Sequence, residues 1–95
     1  MFEINVSFFS ILEDIVGKSD VKIKLEGGSK IIDLLKELIK EFGEEFQKNI
    51  LDSKGDVNKY VILGINGKDI RTIAGLETSI HKDDDIVFLP AIAGG

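Results

Sequence analysis

The stretch SKIIDLLKELIKEFG, residues 29–43, decides the architecture. At about 100° per residue, Ile31, Ile32, Leu34, Leu35, Leu38, Ile39 and Phe42 cover an arc of roughly 160°. Asp33, Lys36, Glu37, Lys40 and Glu41 fill the remainder of the circle. This spacing predicts an amphipathic helix. Ser29 is the expected N-cap, its hydroxyl accepting from an orphan amide of the first turn. Gly43 supplies a left-handed residue at the other end. So broad an apolar face has to be buried, and the flanking segments offer a sheet to bury it on.

Upstream, FEINVSFF alternates with period two: Phe2, Ile4, Val6 and Phe8 share one side, while Glu3, Asn5, Ser7 and Phe9 share the other. That is a strand with one buried face, and Phe9 puts an aromatic ring on its polar side. SILEDIVGKS predicts a short helical turn ended by Gly17. DVKIKLEGG alternates again, with Val21, Ile23 and Leu25 opposed to Lys22, Lys24 and Glu26, and Gly27-Gly28 stop it.

Downstream, Phe46 and Ile50 stand four apart and suggest a short second helix, and DSKGDVNK is a polar loop. YVILGIN is a continuous apolar run, which predicts a strand covered on both faces. Asn66-Gly67 is a type I′ turn signal, because both central positions need positive φ. KDI starts the return strand, RTIAGLETSIHKDDD is irregular, and DIVFLP is the last strand, closed by Pro90, which has no N–H to give a ladder. The order strand, strand, long helix, strand, short strand, strand is an α+β plan with one long helix on one face of a mixed sheet.

The 95 residues fit one domain. The absence of cysteine removes disulfides and thiolate chemistry and fits a reducing compartment, so a cytoplasmic location is expected. The N-terminal MFEINVSF does not resemble a signal peptide. No apolar stretch approaches the ~18–20 residues of a membrane span, so no membrane partner is expected. A net charge of −5 argues against nucleic acid and favours a basic protein partner.

Catalytic groups are scarce. His81 is the single histidine and sits in a polar turn, so neither a metal site nor a Ser–His–Asp arrangement follows from it. Asp83, Asp84 and Asp85 lack the spacing and glycine of a calcium loop and read as a solvated acidic turn. Gly27-Gly28-Ser29 matches no phosphate-binding motif. Neither a metal nor a bound cofactor is expected.

The final AIAGG, residues 91–95, has a chemical reading. A carboxylate that must reach a reactive centre inside another protein needs a narrow approach, and glycine carries no side chain to obstruct one. Ordering such a tail costs roughly 1–2 kcal/mol per residue, which contacts from Leu89, Ile92 and Ala93 can offset.

The order of elements, the Asn66-Gly67 turn, DDDIVFLP and the terminal AIAGG together resemble the MoaD family, the small subunits of molybdopterin synthase among the ubiquitin-like sulfur carriers. Asp85, Val87, Pro90, Gly94 and Gly95 carry the specific part; Ala91 stands where a second proline is common. The resemblance implies a β-grasp domain over residues 1–90 and a tail over residues 91–95. It implies that an E1-like enzyme uses ATP to adenylate the Gly95 carboxylate, and that sulfur replaces the adenylate to leave a thiocarboxylate. It further implies that Ala91, Ile92, Ala93 and Gly94 insert into the large subunit of molybdopterin synthase, where the sulfur passes to cyclic pyranopterin monophosphate. Phe9, Leu89 and Pro90 are the implied partner surface.

Such a chain donates sulfur and has no catalytic constellation of its own. The same activated carboxylate suits a ubiquitin-like modifier joined through Gly95 to lysines of other proteins, or a carrier for tRNA thiolation. Residues from Ala91 onward are expected to be mobile until a partner takes them.

Overall fold

The computed structural model describes residues 1–90. Ala91, Ile92, Ala93, Gly94 and Gly95, and with them the expectations placed on the tail, lie outside the described residues. The elements run β1 (Phe2–Phe8), α1 (Ile11–Val16), β2 (Asp20–Leu25), α2 (Ile31–Ile50), β3 (Val61–Ile65), β4 (Lys68–Asp69) and β5 (Asp85–Pro90), with two 3-10 turns at Ile70–Thr72 and Gly75–Glu77. The sheet order is β2-β1-β5-β3-β4. β1 pairs antiparallel with β2 and parallel with β5, while β3 pairs antiparallel with β5 and β4. This is the β-grasp fold: a mixed sheet holding one long helix on one face.

The core lies between α2 and that face. Ile4, Val6 and Leu25 meet Leu34, Leu35 and Leu38, as the alternation and the helical period require. Ile23 and Phe42 are only partly buried, because β2 is an edge strand and nothing packs beyond it. The aromatic centre is Phe8, whose ring lies 5.3 Å from Phe88 and 5.8 Å from Phe46, centroid to centroid. Phe42 stands edge-on to Phe8 at 6.1 Å, an arrangement aromatic quadrupoles favour.

Gly43 has φ 84 and ψ −164, so α2 is two helical segments meeting at a kink. The kink lets the second segment bury Phe46 and Ile50. Ser29 is not the helix cap. Its hydroxyl donates to the Glu26 carbonyl at 2.7 Å, and the Asp33 carboxylate accepts from the Lys30 amide at 2.9 Å. Gly28, at φ 87, turns the chain so that Lys30 occupies the cap. Lys30 Nζ also donates to Glu77 Oε1 at 2.8 Å, and this exposed bond holds the lysine above its ordinary pKa.

Asn66 and Gly67 adopt φ 52 and 85, the expected I′ geometry. The acidic turn is more than a solvated loop. Asp84 Oδ1 accepts from Asn66 Nδ2 at 2.8 Å, and Asn66 Oδ1 accepts from the Asp85 amide at 2.9 Å. This clasp ties the β3–β4 turn to the start of β5. β3 is buried on one face only: Val61, Leu63 and Ile65 point into the core, and Ile62 is half-exposed because no second layer covers the outer face of the sheet. Among the described residues no helix is long and apolar enough to cross a membrane.

Candidate functional site

The site grows from the pairing of the last strand. β5 continues to Pro90 between β1 and β3, with Leu89 opposite Ile62 and Pro90 opposite Val61. On its other side Phe88 stands beside Phe8, and the Phe9 amide donates to the Phe88 carbonyl at 3.2 Å. Residues alternate across a strand. With Phe8, Phe88 and Leu63 buried, Leu89 and Ile62 must face out. The outer face therefore carries an apolar strip beside the point where residue 91 follows Pro90.

The Phe9–Phe88 bond and the register of β5 put Phe9, Leu89 and Pro90 at one end of the sheet, where Phe9 is 46% exposed and Leu89 38%. The alternation did not single out Ile11, Tyr60 or Ile62. Ile11 is 53% exposed, because the six-residue α1 buries Leu12 alone. Tyr60, 48% exposed, precedes Val61, with Lys59 Nζ 5.1 Å from its ring centroid. A short helix with apolar residues on more than one side was the available signal for Ile11. Tyr60 and Ile62 were masked by reading YVILGIN as a strand covered on both faces.

The backbone shapes this end. Ser10 has φ 54 and ψ −130, a conformation that costs a non-glycine residue about 1–3 kcal/mol. It lets the chain leave β1 with Phe9 outward and still start α1, whose Leu12 amide donates to the Phe9 carbonyl at 3.2 Å. Arg71 holds the opposite side. Its Nη2 donates to the carbonyls of Asn58 at 3.0 Å and Val61 at 2.9 Å, fixing the backbone that pairs with Pro90.

The other sequence candidates fall elsewhere. His81 is exposed, and its backbone amide donates to Asp84 Oδ2 at 2.7 Å. Among the described residues no group of three or more His, Asp or Glu side chains is placed to hold a metal. Thr78, the buried polar residue, has its hydroxyl accepting from the Ala74 amide at 3.2 Å. The end of β5 can offer an apolar surface beside the point where the chain continues past Pro90.

Comparison with known proteins agrees with this fold. Small archaeal modifier protein 3 of Haloferax volcanii is 25% identical over 93 residues, 98% of this chain and 99% of its own. The sulfur carrier protein CysO of Mycobacterium tuberculosis is 40% identical over 43 residues, 45% of this chain and 46% of its own. The solution structure of small archaeal modifier protein 1 from Methanosarcina acetivorans superposes with a TM-score of 0.79 at 30% identity, covering 100% of this chain and 98% of that one. The ThiS family model matches residues 6–95, the end of β5 and the Gly-Gly included, and the chain belongs to the ThiS family.

Proposed function

We propose that this chain is a ubiquitin-like modifier, activated at the Gly95 carboxylate and joined through it to lysines of other proteins. The supporting observation is the register at the end of β5. Pro90 is paired with Val61, and the exposed Phe9 and Leu89 flank the exit. A partner that grips this surface receives the residues after Pro90 directly into its own site. The archaeal modifiers match along nearly the whole chain, one of them at 30% identity, which supports conjugation; a putative sulfur carrier protein of Archaeoglobus fulgidus, 28% identical over 84% of this chain, supports the carrier reading given next.

The chemistry needs little from the chain itself. A carboxylate oxygen of Gly95 attacks the α-phosphorus of ATP on an E1-like enzyme and expels pyrophosphate, leaving an acyl-adenylate. A lysine amine then attacks the acyl carbon; AMP leaves, a proton is lost and an isopeptide bond remains. Gly94 and Gly95 add no side chain to the approach, so the reacting carbon can be held at near-attack distance in a narrow channel.

A second reading, sulfur carriage, rests on the family match and on CysO. There a hydrosulfide sulfur displaces AMP from the same adenylate and leaves a thiocarboxylate. The small-subunit role in molybdopterin synthase, with delivery to cyclic pyranopterin monophosphate, is the narrower form of this reading, and tRNA thiolation is another. Intact mass spectrometry of the protein from its native cells separates the two. Branched lysine adducts ending in Gly95 support the modifier; a terminal oxygen-to-sulfur exchange without adducts supports the carrier; neither product contradicts both.

A further inference from the structure

α2 carries a second apolar surface, on the layer opposite the outer face of the sheet. Ile32, Leu35 and Ile39 on the helix form one wall of an open groove; Leu51 and Leu76 form the other, and the cavity is about 390 Å³. Ile32, Ile39, Leu51 and Leu76 are all only partly buried, so the groove is apolar and still wet.

Its rim is sorted by charge. The chain has 17 acidic residues and a net charge of −5, yet no carboxylate lines this groove, and Lys36 and Lys40 stand along its helix wall. Two of the four glutamates of α2 line other clefts, Glu41 the one beside β2 and Glu37 the one beside Leu25. Lys36 and Lys40 are one turn apart, a like-charge spacing that weakens an isolated helix. Among the described residues neither makes an ion pair. Two unpaired cations beside an apolar channel on an acidic protein complement an apolar ligand with negative flanks.

We infer that this groove docks an amphipathic helix of a partner protein, with apolar residues against Ile32, Ile39, Leu51 and Leu76 and acidic side chains against Lys36 and Lys40. Along its helix wall the groove runs from Ile32 to Lys40, about two helical turns, enough to receive anchors spaced one helical turn apart. Because it lies on the helix layer, it stays open while the end of β5 is engaged. The inference does not depend on whether Gly95 forms an isopeptide or carries sulfur.

The test uses the full chain labelled with nitrogen-15 and two synthetic helical peptides. Both carry leucines at i, i+4 and i+7; one has glutamate at the flanking positions, the other lysine. The glutamate peptide is expected to shift the amides of Ile32, Ile39, Leu51, Gly55 and Leu76 and to bind at least tenfold more tightly than the lysine peptide. The K36E/K40E double variant, which leaves the core untouched, is expected to reverse that order. Equal binding of the two peptides, no binding of either, or shifts centred on Phe9 and Leu89 overturn the inference. So does dilution of the protein alone moving the same amides, which makes a second copy the occupant.

Discussion

The Phe9 amide donates to the Phe88 carbonyl at 3.2 Å, so the chain leaves β1 still bound to the strand that ends at Pro90. The exposed Phe9 thereby continues the β1–β5 register toward Leu89, placed by backbone rather than by core packing. Phe9→Ala is expected to weaken binding to the activating enzyme on the order of tenfold or more, as truncating an aromatic anchor does. Its unfolding free energy should change by about 1 kcal/mol or less. Calorimetric titration and thermal denaturation measure the two. A large loss of stability with unchanged binding would move Phe9 off the interface.

Ser10 stores backbone strain at the same end. Ser10→Gly removes a cost of about 1–3 kcal/mol, against roughly 0.4–1 kcal/mol lost to the freer unfolded chain. Urea denaturation should show stability unchanged or raised by up to about 2.6 kcal/mol. A loss above about 1 kcal/mol would mean the positive φ is not a source of strain.

Arg71 pins the start of β3 through the carbonyls of Asn58 and Val61. These bonds come from a charged donor that is partly exposed, so Arg71→Ala should cost about 1–2 kcal/mol. Amide exchange at Ile62 and Leu63 should quicken first, since they follow the freed segment. Exchange quickening equally across α2 would indicate a global effect instead.

Leu38 is fully buried under the sheet. Leu38→Ala leaves a cavity and should cost about 2–5 kcal/mol in chemical denaturation. A change below half a kcal/mol, roughly the size of a neutral surface substitution, would mean the core lies elsewhere.

Much of this was legible because it is local. The period of residues 29–43, the alternation of β1 and β2, and Asn66-Gly67 each state their geometry within a few residues. Gly43 was legible as a break, and Phe46 with Ile50 as the segment beyond it. The parallel pairing of Asn5–Phe8 with Asp85–Phe88 joins opposite ends of the chain, and no local pattern encodes it. The cap was misassigned because Ser29 and Asp33 both offer a capping oxygen, and Gly28 decides which is used by shifting the helix start to Lys30. β3 looked two-sided because Tyr60 and Ile62 are apolar on a face that no layer covers; the same absence exposes Phe9 and Leu89. The apolar strip at the end of β5 was thus half-visible, through Phe9 and Leu89, and half-hidden as apparent core.

The central claim is that Gly95 carries the reacting carboxylate. ATP–pyrophosphate exchange with the cognate activating enzyme tests it most directly, comparing the native chain with a Gly95 deletion and with Gly94→Val. The deletion draws the carboxylate back by up to ~3.3–3.6 Å, and the branched valine crowds a narrow approach. Misplacement on this scale is expected to slow exchange on the order of a hundredfold while the melting temperature stays unchanged. Exchange at the native rate in both variants would contradict activation at Gly95.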